Sequence, residues 1–487
     1  MIFIVKSRIL LLLKQDLVNH VLIKEVMYLN KRNFIGRISE IKRLEEIYAS
    51  SNFEFGIIYG RRRIGKSTLL KEFIQKKNAI YLVANEKKIE FNLNLFANEI
   101  SKITGNSHIK FSSFSDMMTY VFETIKTKMI LIIDEFTYLV SNNKAILSEL
   151  QNAIDKYRND SMLKLIISGS HVGMVEDMLA YKKPLYARKT FALKLKEFDY
   201  LDASLFFPKF SYEDKIRIYA LCGGIPYYLQ LFDDSKTLKE NIINIFIRPH
   251  ASLENELDFL FQSEFRKKSV YSSILQVVAN GKTKLNDISQ LSHINDTAKT
   301  STYLKPLIEM ELIKKEFAFK ASSKRRTIYK IKNNLVNFVY TFLEENRTSH
   351  NLLNPDDFYD IFIEQRLDEY VSLIFEDICI QYLIKRNKIV ESSEKVIDIG
   401  HYWLNDNKSS IQIEIDICTK TLKDYIIYEC KWTNSKVDIH IMFDLENKSQ
   451  KINDFTVKGI GAFSKSGFTT EVKEKYARIF DLNDLFS

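Results

Sequence analysis

The chain has 487 residues, of which 46% are hydrophobic and 27% charged, a globular balance that excludes a disordered or low-complexity protein. Its length exceeds what one hydrophobic core supports and predicts roughly two to four domains. A formal charge of +9 permits a nucleic-acid partner without demanding one, so the placement of the charges must decide.

Residues 1–30 read as an extension before the first motif, with Met27 as an alternative start and residues 1–26 conforming to nothing. The best apolar run there, Ile9–Leu13, is too short for a membrane span or a signal sequence. Cys222, Cys379, Cys418 and Cys430 show neither C-x-x-C pairing nor a neighbouring His-x-x-x-His, so a reduced cytoplasmic chain without structural zinc is expected.

From residue 31 the pattern becomes regular. Ile41, Leu44, Ile47 and Tyr48 share one helical face, with Ser39 as the expected N-cap. Phe55–Tyr59 reads as a buried strand, and Leu69, Leu70, Phe73 and Ile74 as a helix. Between them lies Gly60-Arg61-Arg62-Arg63-Ile64-Gly65-Lys66-Ser67, followed by Thr68, which fits the phosphate-cradling pattern G-x-x-x-x-G-K-[ST]. Amide groups at the helix start and the helix dipole favour a phosphate chain there. Lys66 would reach the outer phosphates, and the Ser67 hydroxyl would ligate Mg²⁺.

Ala79–Val83 is a second strand, and Phe91–Ile103 and Phe114–Ile125 are helices. The apolar run Met129–Ile133 is a strand covered on both faces, ending in Asp134-Glu135. Asp134 is expected to hold Mg²⁺ and Glu135 to polarise the attacking water. After a helix near Lys144–Tyr157, strand Leu163–Ile167 ends in Ser168-Gly169-Ser170, where Ser168 or Ser170 could sense the γ-phosphate. Arg188 is a candidate for stabilising transition-state charge, in its own chain or in a neighbouring copy, with a solvated arginine as the alternative, and Phe191–Leu195 is a fifth strand. Strands alternating with helices over residues 31–200 predict a P-loop ATPase core, a parallel sheet with helices on both faces.

Residues 201–264 read as a helical lid, broken at Cys222-Gly223-Gly224-Ile225-Pro226. Helices at Tyr271–Ala279, Leu285–Leu291 and Thr297–Met310, then alternating stretches Leu312–Phe319 and Thr327–Ile331, give residues 265–335 the order of a winged helix-turn-helix. Thr297–Met310 would enter a DNA groove. Lys314, Lys315, Lys320, Lys324, Arg325, Arg326 and Lys330, against Glu316 alone, would face phosphates. A domain break is expected near 335–355, where Asn354-Pro355-Asp356-Asp357 reads as a turn.

Within residues 356–487, strand Ile411–Ile417 carries Asp416, and strand Tyr425–Tyr428 runs into Glu429-Cys430-Lys431-Trp432. Asp416 and Glu429 on neighbouring strands would share a second Mg²⁺ or Mn²⁺, and Lys431, on the same side of its strand as Glu429, would orient a water. Glu376, on an amphipathic helix upstream, could add a metal contact. This arrangement resembles the PD-(D/E)xK nuclease core.

Phe34-Ile35-Gly36-Arg37, the phosphate loop with its three arginines, Ile133-Asp134-Glu135, Ile167-Ser168-Gly169-Ser170 and Gly223-Gly224-Ile225-Pro226 occur in order. Together they resemble the archaeal-type ATPases of the AAA+/STAND superfamily, over roughly residues 30–250. The carboxy-terminal part resembles the DUF234-type nuclease-like domain often attached to them. The resemblance implies that Gly36 and Arg37 lie near the nucleotide base and that Gly224 and Pro226 close over it. Ala187 departs from the glycine that many relatives carry before the arginine.

The fold class expected is therefore α/β multidomain, with a P-loop NTPase sheet, a helical and winged-helix middle and a restriction-endonuclease-like α/β carboxy-terminal domain. The expected function is an ATP-binding, Mg²⁺-dependent ATPase whose nucleotide state controls a DNA-binding and potentially DNA-cleaving carboxy-terminal half. The expected partners are ATP and DNA, with no membrane. The alternative is a signalling or scaffolding ATPase that assembles with copies of itself or another protein and whose carboxy-terminal domain only binds.

Overall fold

The computed structural model describes residues 34–265, 267–320, 327–390, 394–406 and 411–487. The expected extension 1–30 and the basic residues Lys324, Arg325 and Arg326 lie outside the described residues. The chain forms two compact units that divide after Glu197.

The first unit is built on five parallel strands: β1 (Glu54–Tyr59), β2 (Ala79–Val83), β3 (Ile130–Asp134), β4 (Lys164–Gly169) and β5 (Phe191–Lys194). Their spatial order is β2-β3-β4-β1-β5, so β4 lies between the strand that feeds the phosphate loop and the strand that ends in Asp134. Parallel pairing needs helical crossovers, which cover both faces and explain the continuous apolar runs Ile130–Ile133 and Leu165–Ile167. Ile57, Leu82, Phe96, Met117, Leu131, Ile133, Leu150 and Leu165 form the core between sheet and helices. Each such side chain contributes about 1.5–3 kcal/mol by leaving water.

Two local expectations change. The first helix, Ile38–Ala49, is entered through Arg37 at φ 59°, and Ser39 makes no cap; its hydroxyl bonds Glu40 Oε2 at 2.7 Å. The stretch 335–355, expected to separate domains, is helical in three pieces, Asn334–Phe338, Val339–Glu344 and Arg347–Leu352. Leu335, Val336, Phe338 and Phe342 are fully buried there, so the segment is core rather than linker. Asn354 caps the helix that Pro355 begins, accepting from Asp357 N–H at 2.9 Å, where a turn was expected.

In the second unit, helices Lys268–Ala279, Leu285–Leu291 and Thr297–Glu309 precede an antiparallel hairpin of β6 (Ile313–Phe317) and β7 (Thr327–Ile331). A five-stranded mixed sheet follows, from β8 (Val396–Asp406), β9 (Ile411–Thr421), β10 (Tyr425–Lys431), β11 (Val457–Ser464) and β12 (Ile479–Asp481), ordered β12-β11-β10-β9-β8. β8, β9 and β10 pair antiparallel, and β10, β11 and β12 pair parallel. The 22-residue helix Gln365–Arg386 packs Val371, Phe375, Ile378 and Cys379 inward, and it carries Glu376.

Candidate functional site

The phosphate loop sits where β1 ends. Gly60 approaches Leu195 so closely that a Cβ would stand 2.6 Å from its carbonyl oxygen, and Gly65 adopts φ 91°. The loop therefore needs glycine at both ends, and the helix Lys66–Ile74 starts directly from it. Lys66 is buried, and its Nζ donates to the carbonyls of Gly60 at 3.0 Å and Arg61 at 3.2 Å, bending the side chain back over the loop. Burial lowers its pKa, opposed by the charges of Glu135 and Asp134.

Because β4 separates β1 from β3, the ends of three strands meet at one edge of the sheet. Ser67 Oγ donates to Asp134 Oδ2 at 2.6 Å. The hydroxyls of Tyr81 and Ser168 also donate to the Asp134 carboxylate. Ser168 thus holds Asp134 rather than presenting a free hydroxyl as a phosphate sensor. Burial, then the bond to Asp134, raises the Tyr81 phenol far above its ordinary range. Glu135 takes φ 54°, a left-handed conformation disfavoured for a residue with a side chain. Its N–H donates to Asp134 Oδ1 at 3.0 Å and Ser168 Oγ at 3.2 Å, and its Oε2 accepts from Ser170 at 2.8 Å. Strain at such a position is what over-determined functional sites hold.

The loop arginines diverge. Arg61 Nη1 lies 3.6 Å from Glu197 Oε1, and Arg62 Nη2 donates to Tyr138 OH at 3.3 Å. Arg63 adopts φ 67°, Ile64 is buried, and Thr68 is exposed on the helix. Gly36, at φ 67°, and Arg37 join the site through the loop itself, since Arg37 Nη2 donates to Ile64 O at 3.0 Å. Pro226 belongs to the second unit, at the first position of the helix Pro226–Leu229.

Arg188 requires a correction. Its guanidinium grips Asp155 with bonds of 2.9–3.1 Å. Two residues on, Thr190 N–H donates to Phe55 O, at the beginning of β1, whereas the phosphate loop follows its end. The arginine is therefore held at the far end of the strand, where it cannot serve phosphoryl chemistry from its own chain.

The second unit gathers another acidic centre. Cys430 N–H donates to Asp416 Oδ2 at 2.7 Å, tying β9 to β10. Glu429 is buried and accepts from Lys431 Nζ at 2.7 Å and Lys448 Nζ at 3.2 Å. Burial, then the charge of Glu429, pushes Asp416 up to about 6. Burial, then the charge of Asp416, pushes Glu376 up to about 8, opposed by His401. Asp416 is thus raised by Glu429 and in turn raises Glu376, a build-up of negative charge that a divalent cation would relieve. His401 Nδ1 lies 2.5 Å from Asp416 O and 3.5 Å from Glu376 Oε2. Tyr81, Lys448 and His401 were not found from sequence, because only strand and helix pairing brings them to the acids.

Among the described residues, the three-residue group whose ligand atoms lie within 4.8 Å of one another is a different one, Glu316, Asp377 and His401. Lys314 Nζ already fills that cluster, 2.7 Å from both Glu316 Oε1 and Asp377 Oδ2. Lys320 pairs with Asp398 at 2.9 Å and Lys330 with Glu316 at 3.7 Å. These hairpin lysines, expected to face phosphates, are turned onto carboxylates of their own unit. Among the described residues no helix is long and apolar enough to cross a membrane.

Comparison with known proteins bears on both centres. Residues 34–232 match an ATPase domain found predominantly in Archaea, and residues 339–442 match a family of archaeal and bacterial proteins of unknown function. An uncharacterised protein of Methanocaldococcus jannaschii is 34% identical over 409 residues, covering 80% of this chain and 88% of the relative. Among solved structures, a Walker-type ATPase of Pyrococcus abyssi is 21% identical with a TM-score of 0.48, covering 63% of this chain and 96% of that one. The Aeropyrum pernix ORC2 protein, in ADPNP–ADP complexes, is 14% identical with a TM-score of 0.45, covering 70% and 96%. The chain belongs to this predominantly archaeal ATPase family, with its phosphate loop in the matched domain and Glu376, Asp416 and Glu429 in the matched carboxy-terminal segment.

Proposed function

We propose that this ATPase uses ATP with Mg²⁺ to control a carboxy-terminal half that binds and cleaves DNA. The observation that carries the reading is Asp416 on β9 and Glu429 on the adjacent β10, with Glu429 bonded to Lys431 at 2.7 Å, in a chain that also holds a complete phosphate loop.

At the first centre the residues fit nucleotide and metal. The loop holds its path because residue 60 is a glycine against the Leu195 carbonyl and residue 65 a glycine at φ 91°, and Ser67 and Asp134, the expected metal ligands, already meet. The cation supplies charge neutralisation between the phosphates. Lys66 would move from the Gly60 and Arg61 carbonyls to the outer phosphates. Glu135, held by Ser170, would accept the proton of the attacking water, while Ser168 and Tyr81 keep Asp134 oriented.

At the second centre Asp416 and Glu429 would supply oxygen donors of the kind Mg²⁺ or Mn²⁺ takes, with Glu376 as the expected further contact. Such a cation lowers the pKa of a bound water and polarises a phosphodiester. Lys431 would pass from Glu429 to the water or the developing phosphorane charge. Supercoiled and linear DNA incubated with Mg²⁺ or Mn²⁺, with and without ATP, tests the reading. Cleavage that Asp416→Ala abolishes while ATP turnover persists supports it; every DNA form left intact removes the nuclease half.

The second reading is a signalling or scaffolding ATPase, and a specific observation favours it. Lys314, Lys320 and Lys330 are paired with acids of their own unit, which leaves less positive charge for DNA than their spacing implied. Nucleotide-dependent assembly without DNA binding would select this reading.

A further inference from the structure

We propose that the Arg61–Glu197 ion pair is a latch that nucleotide releases, and that its release frees the joint between Glu197 and Phe198. This rests on the reading of the phosphate loop above and specifies how that site is coupled to the rest of the chain.

After β5 the chain is tied to the phosphate loop. Leu195 N–H donates to Tyr59 O at 2.7 Å, and Gly60 lies against the Leu195 carbonyl. Arg61 Nη1 stands 3.6 Å from Glu197 Oε1, with the two side chains 13% and 25% exposed. That separation is an ion pair but too long for a hydrogen bond, and among the described residues the buried Arg61 Nη1 has no hydrogen-bond partner. The next residue begins the second unit and is tied there instead. Phe198 N–H donates to Gly224 O at 2.8 Å, Tyr200 N–H to Gln381 Oε1 at 3.1 Å, and Tyr200 OH to Leu485 O at 2.5 Å. One covalent step therefore separates a residue held by the loop from residues held in the unit that carries Glu376, Asp416 and Glu429. The ATPase family match crosses that step, since it ends at residue 232.

The chemistry gives the latch its direction. A guanidinium with an unsatisfied, desolvated N–H gains more from a bidentate phosphate than from a carboxylate at ion-pair distance. Phosphate in the loop also repels the Glu197 carboxylate. Arg61 turns to the ligand, Glu197 loses this cation, and residues 195–198 loosen. Reciprocity then requires that the latch and the nucleotide weaken each other by the same factor.

Hydrogen–deuterium exchange of residues 195–198 in the full-length protein, with and without adenylyl-imidodiphosphate and Mg²⁺, tests this. The nucleotide should raise exchange there by about 2–5-fold, the range of a partly exposed ion pair. Glu197→Gln should exchange at the raised rate without nucleotide, and should bind the analogue about 2–5-fold more tightly than the parent. Measured binding without faster exchange, or equal or weaker binding by Glu197→Gln, overturns the latch and leaves the nucleotide site standing. No binding by either protein overturns the nucleotide reading and the latch with it.

Discussion

Tyr81 donates its phenolic hydrogen to the same carboxylate, Asp134, that accepts from Ser67 at 2.6 Å. A tyrosine on β2 therefore fixes the acid that ends β3, alongside the first helical turn after the phosphate loop. Removing a group that orients a metal-binding carboxylate commonly costs about 10–100-fold in metal affinity. Tyr81→Phe should accordingly raise the Mg²⁺ concentration for half-maximal ATP turnover by about tenfold or more, with saturated turnover much less affected. Lys66→Ala should abolish turnover outright. Retained turnover in that variant would remove Lys66 from the site.

Arg188→Ala should leave ATP turnover within about twofold of the parent. The guanidinium is committed to Asp155 in a pair with side chains 27% and 42% exposed, so its loss should destabilise the fold by at most about 1 kcal/mol. A large fall in turnover at full occupancy, seen equally at high dilution, would return Arg188 to the catalytic machinery.

The acidic centre of the second unit should make stability depend on pH in an unusual direction. Glu376 is raised from 4.5 to about 8 in the folded chain, mainly by burial. Between those values the folded state binds more protons than the unfolded one, so this group lowers stability progressively as pH rises through that window. Glu376→Gln removes the ionisation and should be more stable than the parent by about 1–3 kcal/mol at pH 8, and equal to it near pH 4. Thermal melts across pH measure this. Mn²⁺ added at pH 8 should stabilise the parent more than the variant, because the relieved repulsion is larger there.

What was legible in the sequence follows from how far each interaction reaches. The phosphate loop, Lys66 and Ser67 are contiguous, and Asp134-Glu135 ends an uninterrupted apolar strand, so local pattern located them. The neighbouring strands that carry Asp416 and Glu429 were legible for the same reason, since a hairpin joins β9 to β10. Tyr81 was not, because it alternates with Ile80 and Leu82 like any half-buried strand residue. Only the pairing of β2 with β3 brings it to Asp134. Arg188 was misplaced because a sequence does not show which end of a strand a neighbouring turn occupies. Counting charges on the hairpin did not show that Lys314 meets Asp377 and Lys320 meets Asp398, because those carboxylates are distant in sequence.

That last point gives the sharpest test of the hairpin. Lys314 Nζ lies 2.7 Å from both Glu316 Oε1 and Asp377 Oδ2, and although burial pushes Asp377 up, Lys314 with His401 outweighs it and holds the carboxyl well below the usual range. Truncating the lysine would remove the nearest cation from both acids, leaving Glu316 with Lys330 at 3.7 Å and Asp377 with the His401 ring at 3.5 Å. The lysine and its two acids are 22%, 17% and 42% exposed, so solvent screening holds the loss to about 1–2 kcal/mol. Lys314→Ala should therefore unfold at lower urea concentration than the parent, and Lys314→Ala with Asp377→Asn should recover part of the loss. A lysine that instead contacted DNA phosphate would behave differently. Its removal would leave stability unchanged and reduce the salt slope of DNA binding by about 1. Measuring both quantities on the same variant separates the two roles, and the ion-pair geometry predicts the loss of stability with the slope intact.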